Sequence, residues 1–132
     1  MTEQNLPPTS DGQEATIDWS VLDTFRTFRK QGDPDPSTRL INIFLKSSPP
    51  LLDSLQTAIQ AAAPESLANV AHSMKSGSLN MGATGLGELC ARLEKIGRSG
   101  TIEEADALLD RIKLEYAAVE AAFRKIMPEN EN

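Results

Sequence analysis

The longest helical pattern in the chain occupies its C-terminal quarter. Apolar side chains at spacings of three and four residues fall on one face of an α-helix. A helix of about 25 residues would be about 37 Å long at 1.5 Å per residue. Such an apolar face must be buried against other elements, and no alternating strand pattern of useful length is present. The face consists of Ile102, Ala105, Leu108, Leu109, Ile112, Tyr116, Val119, Phe123 and Ile126.

Two helical segments are predicted before residue 60. Asp18 caps the first segment, which ends near Gly32. The second begins near Ser37, after the turn at Pro34 and Pro36, and meets two prolines at positions 49 and 50. Either one kinked helix or two separate helices would fit this pattern. The apolar residues of these segments are Val21, Leu22, Phe25, Phe28, Leu40, Ile41, Phe44, Leu45, Leu51, Leu52, Leu55 and Ile59.

Two more helices are predicted between residues 64 and 100. The third begins near Pro64, because proline is favoured in the first turn of a helix. The fourth runs from about Thr84 to Ile96 and is expected to end at Gly97 and Gly100. A capping box of Thr101 and Glu104 is expected to open the last helix. The inward residues are Leu67, Ala71, Met74, Ser78 and Met81 in the third helix, and Leu86, Leu89, Cys90, Leu93 and Ile96 in the fourth.

These helices, joined by short links, predict an all-α fold: an up-down antiparallel bundle with a four-helix core and an N-terminal helix. A length of 132 residues allows one domain. We expect a disordered arm over residues 1–15, the bundle over 16–127, and a tail over 128–132 after Pro128.

Composition and charge exclude several classes of binding partner and indicate a cellular location. The net charge of −6 argues against a nucleic-acid partner, since an acidic protein repels phosphate backbones. No apolar run approaches the roughly 18 residues of a membrane span, and no signal peptide opens the chain. The single cysteine excludes an internal disulfide and a cysteine-based metal cluster. We therefore expect a cytoplasmic protein that binds neither nucleic acid nor membrane.

The only histidine of the chain, His72, lies on the third helix at the edge of its apolar face or outside it. Its neighbours one turn away are mostly small, so a partner surface could approach the imidazole closely. Lys75, one turn later, could hold a phosphoryl oxygen as a point charge. Surface histidines without a chemical role are nevertheless common. The residues expected to meet a partner are Ala68, Asn69, Ser76 and Leu79.

The stretch AHSMKSGSLNMGA, residues 71–83, followed by LGELCARLEKIGRSG, resembles the signature of histidine-containing phosphotransfer (HPt) domains of two-component phosphorelays. The family pattern is a histidine, a lysine three residues on, small residues, an asparagine and a glycine. A Leu-Glu pair and a Gly-Arg end follow on the next helix. The family often has glycine directly after the lysine, where this chain has Ser76. The matching residues are His72, Lys75, Asn80, Gly82, Leu93, Glu94, Gly97 and Arg98.

The resemblance implies a phosphorelay carrier rather than an ATP-dependent kinase. His72 would accept a phosphoryl group at Nε2 from an aspartate of a receiver domain and pass it to another receiver. Lys75 would stabilise that group. The expected partners are response-regulator receiver domains and a hybrid sensor histidine kinase, with the chain itself a monomer. No metal or cofactor is expected in this chain, because the resemblance places the Mg²⁺ on the receiver.

Glu94 is the candidate that orients the imidazole. It lies 11 or 12 residues beyond the predicted turn between the third and fourth helices, and His72 lies about 10 residues before that turn. The two residues can therefore be level across the hairpin. A carboxylate that accepts the Nδ1 proton would leave the Nε2 lone pair free. The other interpretation is a solvated Glu94 that pairs with Arg98, four residues on.

Other interpretations remain open or are disfavoured by the residues. Arg92, Lys95 and Arg98 could steer an acidic receiver face, or could form an ordinary solvated helix face. A sensor-kinase dimerisation pair usually has an acidic residue after the histidine, where this chain has Ser73. A metal-binding bundle needs more than one histidine. A receiver-binding module that kept the fold without transfer is the main alternative.

Overall fold

A computed structural model describes residues 15–27 and 35–127, apart from the side chain of residue 26. The described part contains five helices and no strand. Residues 1–14 of the predicted arm, Phe28, Gly32, Pro34 and the predicted tail at 128–132 lie outside the described residues. The helices are α1 (Ser20–Thr27), α2 (Pro36–Gln60), α3 (Pro64–Asn80), α4 (Thr84–Arg98) and α5 (Ala105–Ile126).

The predicted antiparallel helical bundle is confirmed. Each of α2, α3, α4 and α5 packs against two of the others in a closed ring, and α1 packs against α2. Links of three to six residues join successive helices of the ring, so neighbours in sequence run antiparallel. No helix in the described ranges is long and apolar enough to cross a membrane.

Two aspartates begin the first two helices. Asp18 accepts hydrogen bonds from the Ser20 backbone N (3.1 Å) and hydroxyl (2.6 Å), as the capping prediction requires. Asp35 accepts from the backbone N of Ser37 at 2.9 Å, so α2 begins at Pro36. The helix then continues through both internal prolines, which are exposed. Of the two possibilities that the sequence allowed, one helix or two, the structure has one helix.

The core fills the space between the four ring helices. The predicted stripe of α5 is buried from Ala105 to Phe123, but Ile126 is 37% exposed because it lies at the helix end, beyond the ring. Phe44 of α2 packs against Tyr116 and Phe123 with ring centroids 5.9 and 5.8 Å apart. The predicted stripe of α3 and residues Leu86, Cys90 and Leu93 of α4 complete this core.

Two predicted helix boundaries are wrong. Gly97 does not end α4, which continues to Arg98; Gly97 is buried against α3 instead. The second predicted stop, Gly100, does follow the end of α4, with φ +87°. The Thr101–Glu104 capping box does not form. The Thr101 hydroxyl accepts from the backbone N of Glu103 at 3.0 Å, and Glu104 has a left-handed backbone (φ 68°) and makes no side-chain cap bond. The turn after α4 therefore extends to Glu104, and α5 begins three residues later than its apolar pattern suggests.

Candidate functional site

A tight turn brings α3 and α4 side by side. The Ser78 carbonyl accepts hydrogen bonds from the backbone N of Met81 (3.1 Å) and of Ala83 (2.9 Å). Gly82, between them, has φ +82°, a conformation that side chains other than glycine's rarely adopt. Its carbonyl accepts from the backbone N of Asp18 at 2.7 Å, which ties the N-terminal segment to the turn. The turn fixes which residues of the two helices are level with each other.

Small residues allow the two helices to approach closely at the other end of the hairpin. A side-chain carbon at Gly97 would lie 2.6 Å from the Pro64 carbonyl oxygen and 2.8 Å from the Ala68 backbone N. Only a glycine fits there without a shift of the backbone. Because Gly97 lies between Glu94 and Arg98 on α4, this contact also sets the distance between those side chains and α3.

His72 and Glu94 meet across this hairpin. The imidazole Nδ1 lies 3.0 Å from the Glu94 Oε2. The imidazole is 54% exposed, whereas the Glu94 side chain is only 15% exposed. The sequence prediction that the two residues are level is confirmed. Because Nδ1 faces Glu94, the edge of the ring that carries Nε2 is the part of His72 that a partner can reach.

The protonation state of Glu94 decides which nitrogen of the ring carries the proton. The Lys75 ammonium, and to a lesser extent His72, lower the pKa of the Glu94 carboxyl in spite of its burial. An ionised carboxylate only accepts hydrogen bonds, so Nδ1 is the donor in this pair. In a neutral imidazole the proton on Nδ1 leaves a lone pair on Nε2. The exposed nitrogen is therefore the nucleophilic one.

Lys75 forms an ion pair with the same carboxylate, that of Glu94. Its Nζ is 2.9 Å from Glu94 Oε1, so the carboxylate holds both the imidazole and the ammonium, one with each oxygen. Sequence reasoning placed Lys75 beside His72 but missed this ion pair. An ammonium has three N–H donors, and one ion pair leaves others for a further anion. Glu94 thus fixes a nucleophile and a cation next to each other.

Arg98, which the sequence offered only as a steering charge or as a partner of Glu94, reaches the site from the end of α4. Its Nη2 lies 3.4 Å from Glu94 Oε2, and its Nη1 donates to Asn69 Oδ1 at 3.1 Å. The guanidinium therefore connects the carboxylate to α3, one turn before His72. The i,i+4 spacing of Glu94 and Arg98 signalled half of this arrangement, and the bond to Asn69 needed the packing of the two helices.

The four predicted docking residues fall into two groups. Asn69 and Ser76 are exposed, and the Leu79 side chain, 44% exposed, rests on Gly87 of α4. Ala68 is completely buried, and the prediction that it meets a partner is wrong. Its position one turn before His72 suggested a shared exposed face, but α4 covers that part of the face at Gly97.

Comparison with known proteins agrees with this geometry. The model of the Hpt domain family matches residues 39–122, and the chain belongs to this family. It is similar to histidine-containing phosphotransfer protein B (HptB) from Pseudomonas aeruginosa PAO1. The two are 34% identical, with a TM-score of 0.77 over 83% of this chain and 92% of that chain.

A second solved structure shares the fold. It is the HPT domain from the Hpt sensor hybrid histidine kinase from Shewanella, 18% identical, with a TM-score of 0.70. The superposition covers 89% of this chain and 97% of that chain. A search of curated proteins found no match.

Proposed function

We propose that this chain is a phosphorelay carrier. His72 accepts a phosphoryl group from a receiver-domain aspartate and passes it to an aspartate of another receiver. The observation that carries the proposal is the exposed His72 imidazole, whose Nδ1 lies 3.0 Å from an ionised carboxylate with a lysine at 2.9 Å from the same carboxylate. Membership of the Hpt family and the likeness to a histidine-containing phosphotransfer protein support it.

The residues have distinct parts in the proposed transfer. The Nε2 lone pair of His72 forms the new N–P bond while the bond from phosphorus to the aspartate oxygen breaks, and the aspartate leaves as a carboxylate. The ring then carries a positive charge with the proton still on Nδ1, and the Glu94 carboxylate stabilises that charge. Such transfers depend mainly on positioning and charge neutralisation. The same steps in reverse order transfer the group from His72 to an aspartate of a second receiver.

Lys75 neutralises charge on the phosphoryl group in this proposal. The ammonium keeps one N–H on Glu94 and turns another towards a phosphoryl oxygen on Nε2. Its side chain is 27% exposed, so the charge is partly shielded from water and acts more strongly than a fully solvated lysine. Any Mg²⁺ belongs to the receiver in this account, as does the phosphoryl donor.

The surface around His72 would receive the receiver domain. Ser76 adds little bulk one turn after His72, and Leu79 adds an exposed apolar side chain one turn further on. Asn69 lies on the other side, held by Arg98. A small, mixed polar and apolar surface of this kind allows another protein to approach the imidazole within bonding distance.

The test is transfer from a receiver domain that carries ³²P on its aspartate, mixed with the chain in the presence of Mg²⁺. The expected label on this chain is lost in acid and survives base, as for a phosphoramidate. His72→Gln, which should fold normally because the ring is exposed, should abolish the label. Labelling of the His72→Gln protein would refute the proposal.

The part of Glu94 is tested with the same assay. Glu94→Gln keeps an oxygen that accepts the Nδ1 proton but loses the negative charge, so its transfer should be slower than in the native chain and faster than in Glu94→Leu. Glu94→Leu also removes that oxygen; hydrogen bonds to charged groups contribute about 1.5–3 kcal/mol, and the lower end corresponds to roughly tenfold slower transfer. Glu88→Leu, at an exposed position of the same helix, is the matched control. Equal rates for the two Glu94 variants would show that the carboxylate does not orient the ring.

A further inference from the structure

A groove of about 560 Å³ lies between the second half of α4 and the first half of α5. Ile96, Ala107 and Leu108 provide apolar surface in it. Leu108 is nearly buried, Ile96 is half-buried and Ala107 is exposed. The groove is thus a concave surface with an apolar part that no described element covers.

This groove is separate from the phosphotransfer site. Its α4 residues Arg92, Lys95 and Ile96 lie about 100–200° around the helix axis from Glu94. Glu94 reaches α3, whereas the groove residues face α5. A molecule in the groove and a receiver at His72 would therefore contact different sides of α4.

The charges in the groove have the opposite sign from the rest of the protein. Arg92, Lys95 and Arg111 line it together with a single carboxylate, Glu104, in a chain of net charge −6. Within residues 15–27 and 35–127, none of these three cations forms an ion pair with a carboxylate. A helix C-terminus favours nearby cations, which accounts for Lys95 in the last turn of α4. It does not account for Arg92, further back in α4, or for Arg111 in α5.

We propose that the α4–α5 groove binds an acidic segment of a partner protein, with carboxylates on the three cations and apolar side chains against Ile96 and Leu108. Charge complementarity selects the occupant: three cations that pair with no carboxylate of the described residues surround an apolar surface in a protein that is otherwise acidic. A phosphate-sized ion would leave most of the volume and all of the apolar surface unused. A nucleic acid or an anionic membrane would meet the net negative charge of the remaining surface.

The probe is a fluorescent peptide of alternating glutamate and leucine, added to the full chain. Anisotropy gives the Kd, and amide shifts of the ¹⁵N-labelled protein locate the contact. We expect saturable shifts at Lys95, Ala107 and Arg111, with the amide of His72 unmoved. The variant Arg92→Gln, Lys95→Gln, Arg111→Gln should bind about tenfold more weakly, which corresponds to about 1.4 kcal/mol. These side chains are exposed, so the bundle should be unaffected.

The matched control removes the same three charges elsewhere, with Arg39→Gln, Lys46→Gln and Lys125→Gln, and should bind as the native chain does. Ala107→Glu is a second variant, which places a negative charge in the groove and should also weaken binding. The proposal is overturned if the control triple loses affinity equally, or if no amide of the groove shifts at millimolar peptide.

Two further probes separate the proposal from binding by charge alone. A peptide of glutamate and serine should bind several-fold more weakly, because it lacks apolar side chains for Ile96 and Leu108. Inorganic phosphate and vesicles of anionic lipid should leave the groove amides unshifted. Equal affinity of the serine peptide, or the same amide shifts with phosphate or vesicles, would assign the groove to anions in general and overturn the proposal.

Discussion

Gly97→Ala tests the close contact between α3 and α4 that holds the site together. The added methyl carbon would lie 2.6 Å from the Pro64 carbonyl oxygen, 2.8 Å from the Ala68 backbone N and 2.9 Å from the Ala68 Cβ. Two of these atoms belong to the backbone, so they cannot turn away as the end of a flexible side chain can. The two helices must separate by some tenths of an ångström, or α4 must bend.

The expected change in the free energy of unfolding combines two opposing contributions. Overpacking of a well-packed contact costs about 1–3 kcal/mol, and rigid backbone neighbours favour the upper half of that range. Alanine in a helix gains about 1 kcal/mol over glycine. Gly97→Ala should therefore destabilise the fold by about 1–2 kcal/mol. Gly77→Ala is the matched control, since nothing lies within 4 Å of its added carbon, and it should stabilise by up to about 1 kcal/mol.

Thermal or urea unfolding, followed by circular dichroism, measures the difference. At roughly 4 °C per kcal/mol, the melting temperatures of the two variants should differ by roughly 4–12 °C. Gly97→Ala should also slow transfer to His72, because separation of the helices lengthens the bond from His72 to Glu94. Equal stabilisation by both substitutions would refute the close packing at Gly97 and its part in positioning the site.

Three further predictions concern the site itself. Lys75→Ala should slow transfer or shorten the lifetime of the phosphohistidine while stability changes by less than about 1 kcal/mol; a large loss of stability with normal transfer would make the residue structural. Ser76→Phe should weaken receiver binding and transfer without unfolding, and unaltered kinetics would mean that the receiver approaches from another side. Glu94 should titrate by NMR below its ordinary value of 4.5, so its contribution to stability is complete above that pH and is lost as the pH falls through the lowered pKa. A midpoint at or above 4.5 would contradict the ion pair with Lys75.

The architecture could be predicted because the apolar spacing within each helix shows which of its faces is buried. The predicted stripes of the third and last helices correspond to buried residues except at Ile102 and Ile126, the two ends of the last stripe, since an apolar period of 3.6 residues identifies the inward face wherever that face meets a core. The contact of His72 with Glu94 could also be predicted, because a short turn fixes the register of a helical hairpin. Counting residues from both sides of Met81 was sufficient for this.

Contacts that depend on the distance between helices could not be predicted in the same way. Ala68 shares a face with His72 on an isolated helix, but α4 covers it where Gly97 permits close approach. Glycine near a helix end resembles a stop signal, and only the neighbouring helix reveals that Gly97 is a packing residue. The Lys75–Glu94 ion pair and the Arg98–Asn69 bond likewise need the spacing of two helices, which one helix does not encode.

The central claim is that Glu94 holds the proton on Nδ1 of His72 and so leaves Nε2 to carry the phosphoryl group. The most direct measurement is heteronuclear NMR of the chain with ¹⁵N-labelled histidine, before and after phosphorylation by phosphoramidate. Because His72 is the only histidine, the ring signals need no assignment. We predict that the neutral form of the ring carries its proton on Nδ1 before reaction, and that ³¹P couples to Nε2 afterwards. A ring protonated at Nε2, or phosphorus bonded to Nδ1, would contradict the account.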